Sequence, residues 1–182
     1  MDARTTPRTA PGIIRRALAT CFAMAAAIST ITAIAPAAAQ AGTTIDRVEV
    51  AEVRMINRFR AARGLPVLRI DGTLSTTAVW HARNLGARRM FSHTDYLGRD
   101  PFQRLRAFGY PSRNTWRGEN IAAGNAGALA TYRQWLNSPP HKANWLNGRY
   151  RAIGIARVRV AGSPYGYYWV TTFGSRWTRP AA

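Results

Sequence analysis

Glu119 stands in the run Gly118-Glu119-Asn120-Ile121-Ala122-Ala123-Gly124 and is the only acidic residue after Asp100. His93 follows Phe91-Ser92, and His141 follows Ser138-Pro139-Pro140. Two imidazoles and a carboxylate are a familiar zinc set, with neutral ring nitrogens and an open position for water. The same groups suit acid–base work, because histidine titrates near neutrality. Their spacing alone carries no code. His-Glu-x-x-His is absent, as are a Gly-x-Ser-x-Gly elbow and a phosphate-binding glycine loop. His81, the third histidine, lies beside a helical apolar stripe and is read as a hydrogen-bonded core residue.

The elements that must position these groups are written in the hydrophobic period. Val48, Ala51, Met55, Phe59 and Ala62 form one face of a first helix, which Gly64 and Pro66 end. Asp71 caps a second helix with Leu74, Ala78, Ala82 and Leu85 on its apolar stripe. His93 then lies in a loop. Asp100-Pro101 opens a third helix in the preferred cap order, with Phe102, Leu105 and Phe108 expected inward and Gly109 as its stop. Residues 118–124 read as a loop. Asn125 is the expected cap of a fourth helix that buries Leu129, Tyr132, Trp135 and Leu136 and ends at Pro139-Pro140. A short helical turn carries His141, anchored by Trp145 and Leu146. Ile153–Val160 and Tyr165–Phe173, joined across a Gly/Pro turn, predict an antiparallel hairpin. Both of its faces are apolar, so helices should cover both sides. The expected class is α+β: a three-layer α–β–α sandwich around a central antiparallel sheet.

Residues 1–41 read as an export signal. Arg4, Arg8, Arg15 and Arg16 precede an apolar run from Ala17 to Ala35, and small residues around Ala39 and Ala41 offer cleavage sites. Residues 42–182 then form one domain, placed outside the cytoplasm in the periplasm or the medium. The signal holds 4 of the 26 basic residues and 1 of the 8 acidic ones, so the mature net charge is 22 − 7 = +15. Cys21 leaves with the signal, which removes disulfides and thiolate metal ligands from the mature chain. Lys142 is the only lysine; the other cations are arginines scattered along the chain. Such a charge predicts affinity for anionic surfaces, with no signature of specific nucleic-acid recognition.

The motifs together resemble the CAP superfamily of cysteine-rich secretory, antigen 5 and pathogenesis-related proteins, also called the SCP-like domain. The matching residues run from about Val48 to Phe173 and include Asn57 with Arg60, Gly64-Leu65-Pro66, Asp71-Gly72-Thr73-Leu74, His81-Ala82, Phe91-Ser92-His93, Arg104 and Gly109-Tyr110. The most specific are Gly118-Glu119-Asn120-Ile121-Ala122 and Trp135-Leu136-Asn137-Ser138-Pro139-Pro140-His141. The absence of mature cysteines makes the chain similar to the bacterial branch. The resemblance implies an α–β–α sandwich with a cleft lined by His93, Glu119 and His141. It also implies His93 and His141 as ligands of a divalent cation such as zinc, with Glu119 assisting. Many members carry a second acid just after the helix tryptophan. Here Leu136, Asn137 and Ser138 follow Trp135, so a carboxylate pair is not available.

Three functional readings follow for a monomeric exported protein. The first is binding of a cell-envelope component or amphipathic, lipid-like ligand in the cleft. The second is a metal-dependent hydrolase using His93 and His141, and the third is engagement of anionic polymers by the arginines. No catalytic residue is assigned. Glu119 is also read as a fastener of its segment, a carboxylate holding buried donors.

Overall fold

The first helix, α1 (Arg47–Ala61), begins where Asp46 and Glu49 form a reciprocal capping box, each side chain accepting from the other's backbone N–H. The computed structural model describes residues 44–181, so the export-signal reading falls outside the described residues. The elements that follow are β1 (Arg69–Ile70), α2 (Gly72–Ala87), α3 (Pro101–Ala107), β2 (Arg117–Ala123), α4 (Ala128–Leu136), α5 (Pro139–Leu146), β3 (Ala152–Arg159) and β4 (Tyr167–Gly174).

The sheet runs β1-β3-β4-β2. Its centre is the expected antiparallel hairpin β3–β4, extended by antiparallel β2, while the two-residue β1 adds in parallel to β3 and makes the sheet mixed. Alternation along β4 builds the three layers. Trp169 and Phe173 join Val53 and Ile56 of α1, Trp135 of α4 and Trp145 of α5 in one core. Tyr168 and Val170 meet Ala78, Ala82 and Leu85 of α2 in the other. The approach of α2 is close enough that a Cβ at Gly154 would collide with the backbone of Leu74 and Ser75.

Several local expectations are corrected. Residues 117–123 are a strand, not a loop. Glu119, Asn120 and small alanines lack the β-branched signature of a strand, yet the segment pairs with β4 along its whole length. Helix α4 starts later than expected, with Gly127 as its N-cap and no side-chain cap bond. Asn125 instead bonds Gln134 through its side chain and accepts from Trp169 Nε1 on its carbonyl. Phe102, Leu129 and Leu146 are exposed, while Leu105, Trp135 and Trp145 carry the burial expected of those helices.

β2 is an edge strand, and side chains take the outward carbonyls along most of it. Arg117 O accepts from Tyr150 Oη at 3.0 Å, Glu119 O from Asn144 Nδ2 at 3.1 Å and Ile121 O from Trp135 Nε1 at 3.1 Å. Residues of α4, of α5 and just after it thereby occupy an edge that would otherwise accept another strand. Gly118 is required here, since a Cβ would strike the Tyr150 hydroxyl and Asn144.

Residues 177–179 return to the start of α2. Asp71 accepts from Leu74 N as the α2 cap and from the Thr178 backbone and hydroxyl through the same carboxylate. Gly72 N donates to Arg179 O, and Trp177 Nε1 to Ile70 O.

Candidate functional site

Strand alternation decides how the site is shared. Glu119 and Asn120 are neighbours on β2 and point to opposite faces of the sheet. Glu119 turns toward the α2–α3 layer. Its Oε1 accepts from His93 Nδ1 at 2.9 Å and its Oε2 from Arg104 at 2.5 Å. Asn120 turns toward α5, where its Nδ2 donates to His141 O at 3.1 Å and its Oδ1 accepts from Asn144 at 2.7 Å. The three candidate residues are therefore divided at the sheet edge, with His93 and Glu119 on one side and His141 on the other.

Arg104, on α3, has no role assigned from the sequence beyond its place in the family pattern. It is fully buried and also donates to His93 O at 3.1 Å, while Asp95 lies 3.7 Å away. A buried arginine needs carboxylate partners, and Glu119 and Asp95 are both sequestered with it. Asp95 also folds the loop that carries His93, accepting from the backbone N–H of Leu97 and Arg99 and from Arg99 Nε. Burial works to raise the Asp95 pKa, but these bonds and the Arg99 charge outweigh it and hold it below the ordinary value. An arginine one position before the inward Leu105 is the available signal for this network. Helical period alone does not separate such an arginine from a solvent-facing one.

His81 is buried, as expected from the sequence, but it also borders the site. Its Nε2 lies 3.1 Å from Ser92 O and 3.8 Å from Glu119 Oε1. Burial pushes the ring's pKa down to about 4, against the pull of Glu119. His81 is therefore neutral near pH 7, and its approach to Glu119 is not an ion pair. Donation from Nε2 to Ser92 O leaves Nδ1 as a buried acceptor without a protein partner.

His141 sits on the first turn of α5. Ser138 is the N-cap residue there but makes no capping bond; its hydroxyl lies 2.7 Å from His141 Nδ1 instead. Burial, and after it the nearby His93, hold the His141 pKa below its ordinary value. Glu119 takes its side-chain bonds from His93 and Arg104, and His141 takes its own from Ser138, so the three predicted residues meet as a pair plus a neighbour. Among the described residues no three His, Cys, Asp or Glu side chains are grouped to hold a metal ion. Both Glu119 oxygens are committed, which leaves Nε2 of His93 and of His141 as the unengaged side-chain atoms of these three residues.

The rim is apolar. Phe91, Tyr96 and Leu97 are exposed on the His93 loop, and Phe91 makes an edge contact with the exposed Tyr165.

A model of the cysteine-rich secretory protein family, CAP, matches residues 53–173. Protein YkwD of Bacillus subtilis (strain 168) is 30% identical over 118 residues, which are 65% of this chain and 45% of YkwD. The chain thus spans less than half the length of that relative. An outer surface protein from Borrelia burgdorferi has a TM-score of 0.63 at 30% identity, covering 75% of this chain and 99% of that one. An extracellular protein containing an SCP domain from Bacillus anthracis str. Ames has a TM-score of 0.58 at 24% identity, covering 73% of this chain and 44% of that one. Schistosoma mansoni venom allergen-like protein 4 has the same fold at 14% identity and a TM-score of 0.51, covering 76% of this chain and 96% of that one.

Proposed function

Because this chain belongs to the CAP family of cysteine-rich secretory proteins, we propose that it is an exported binding protein that takes an amphipathic cell-envelope ligand at the cleft between His93 and His141. One contrast carries the reading. Glu119 and Arg104, which hold His93, have at most 1% of their side-chain surface exposed, whereas the His93 side chain is 49% exposed. A buried polar floor presents an exposed imidazole on a loop that also exposes Phe91 and Leu97. A polar headgroup would meet the histidines while an apolar tail lies along the rim. Glu119 acts here as a fastener rather than a proton carrier, since both of its oxygens already accept hydrogen bonds.

Calorimetric titration with monomeric lysophosphatidylglycerol tests this. Saturable binding is expected, weakened at least tenfold by His93→Ala and by Phe91→Ser. Leu129→Ser, at an equally exposed apolar residue on α4, should leave it unchanged. Parental affinity in the His93→Ala variant would remove the cleft from the binding site.

A second reading keeps a divalent cation, favoured by the bond from His93 Nδ1 to Glu119. A carboxylate behind an imidazole is a common support for a metal-ligating ring. His93 and His141 would hold the ion through Nε2, and it would supply Lewis acidity to a coordinated water. Two imidazoles fall short of the three protein ligands usual in catalytic zinc sites, so weak binding is expected. Zinc affinity should fall on acidification, because a ligating imidazole must be neutral, and burial delays that loss at His141 by holding its pKa below the ordinary value. His93→Ala and His141→Ala should each remove most of it, and His81→Ala should not. Zinc binding unchanged in both cleft variants would sink this reading.

A further inference from the structure

The acidic residues of the domain are spent inside it. Glu49, Glu52, Asp71, Asp95 and Glu119 are buried, Asp46 pairs with Arg157, and Asp100 caps α3. Helix α1 shows the effect most plainly. Both of its glutamates point inward, at 5% and 0% exposure, while Arg47, Arg54 and Arg58 are exposed. At about 100° per residue these three arginines fall within about 40° of one another, and they extend along about 16 Å of helix.

Many other arginines are engaged. Arg63, Arg69, Arg88, Arg117, Arg149 and Arg157 lie over aromatic rings, and Arg89 and Arg151 donate to backbone carbonyls. Among the described residues, the side chains of Arg47, Arg54 and Arg58 have no hydrogen bond, ion pair or ring partner. The remaining arginines of that kind sit singly on other elements, such as Arg83 on α2, Arg106 on α3 and Arg176 after β4. Arg58 also lies close enough to Tyr132 of the neighbouring α4 to influence it.

We propose that the outer face of α1 is a docking strip for a linear anionic polysaccharide. Charge complementarity selects a polyanion, and three cations in line on a rigid helix fit an extended chain better than a point charge. None of the large exposed apolar residues lies on α1, which disfavours a bilayer, where an inserted apolar face is needed. No exposed aromatic platform accompanies the strip, which disfavours single-stranded nucleic acid. An exported protein also meets envelope polysaccharides first.

Binding to immobilised polygalacturonate, measured across sodium chloride concentrations, tests the assignment. The variant R47Q/R54Q/R58Q should lose at least tenfold in affinity at low salt. Its dependence of log Kd on log salt should flatten by about 2–3, near one unit per released counterion. A charge-matched control, R83Q/R106Q/R176Q, should lose less than half as much, and R47K/R54K/R58K should retain binding. Thermal melts of all three should match the parent, since every altered side chain is exposed. Equal losses in the two glutamine variants would replace the strip with diffuse surface charge and overturn the proposal. So would a larger loss toward duplex DNA or phosphatidylglycerol vesicles than toward the polysaccharide.

Discussion

Replacing Glu119 by alanine should lower the unfolding free energy by about 3–5 kcal/mol, the usual cost of removing one partner from a buried ion pair. The change strands Arg104, which is fully buried and whose Nε already lacks a partner. It also frees His93 Nδ1. This exceeds the roughly 1–3 kcal/mol typical of a stranded neutral group, because a guanidinium is left behind. Urea midpoints at pH 7 give the measurement. The double variant Glu119→Ala with Arg104→Met should recover much of the loss, because a buried pair replaced as a unit leaves no unpaired charge. A loss below about 1 kcal/mol for the single change, the range of exposed ion pairs, would mean that Arg104 escapes to solvent. The site would then not be the buried floor described.

Glu52 should behave in the opposite way. It lies within α1 at 0% exposure, with neither carboxyl oxygen hydrogen-bonded, and burial alone pushes its pKa up to about 8. Below about pH 4.5 the group is protonated in both folded and unfolded chains. Between that value and about 8 only the unfolded chain releases the proton, so stability falls by about 1.4 kcal/mol per pH unit and levels off above. His81 opposes this on the acid side. Its folded pKa of about 4 lies below the unfolded 6.5, so stability falls as pH drops through that interval. The two slopes nearly cancel from about pH 4.5 to 6.5, and the net loss appears between about 6.5 and 8, on the order of 2 kcal/mol. Glu52→Leu should abolish that alkaline fall and raise stability at pH 7.5 by about 2–4 kcal/mol. Glu52→Gln should remove the slope with a smaller gain. Equal urea midpoints for the parent at pH 6.5 and 8 would show that Glu52 finds a partner or water in solution.

The helices and the hairpin are legible in the sequence because burial imposes a period on them. Leu74, Ala78 and Trp135 lie inside as the 3.6-residue stripe requires, and Trp169 and Val170 part to opposite faces as a strand requires. On α1, by contrast, the expected Val48, Ala51, Met55 and Phe59 are half-buried, Ala62 is exposed, and the buried face runs through Glu52, Val53 and Ile56. β2 is not legible, because its burial is accomplished by polar groups. Glu119, Asn120 and the carbonyls beside them meet side chains of α3, α4 and α5, and none of those pairings leaves a periodic mark. The same holds for Arg104 and Asp95. A charged residue reads as solvent-facing unless its partner on another element is already known, as Glu119 is for Arg104. His93 and Glu119 stand out only through a family pattern, and their contact follows from strand β2 running beside the loop that Asp95 shapes. Leu129 and Phe102 depart in the other direction: they are apolar and expected inward, but helices this short have little length to bury.

The clasp at Asp71 has a consequence for the order in which the chain becomes available. A polypeptide leaving a ribosome or threading through a pore amino-end first can cap α2 as soon as Leu74 emerges. The second half of the same carboxylate's bonding arrives only with Thr178, a separation of 107 positions. Strands β3 and β4, which carry both hydrophobic layers, also come last. A fragment that stops before β4 therefore lacks a finished sheet, and one that stops before Thr178 lacks the finished clasp. For the export proposed above, a chain threading through a membrane pore before β4 and Thr178 have been made has little native structure to undo.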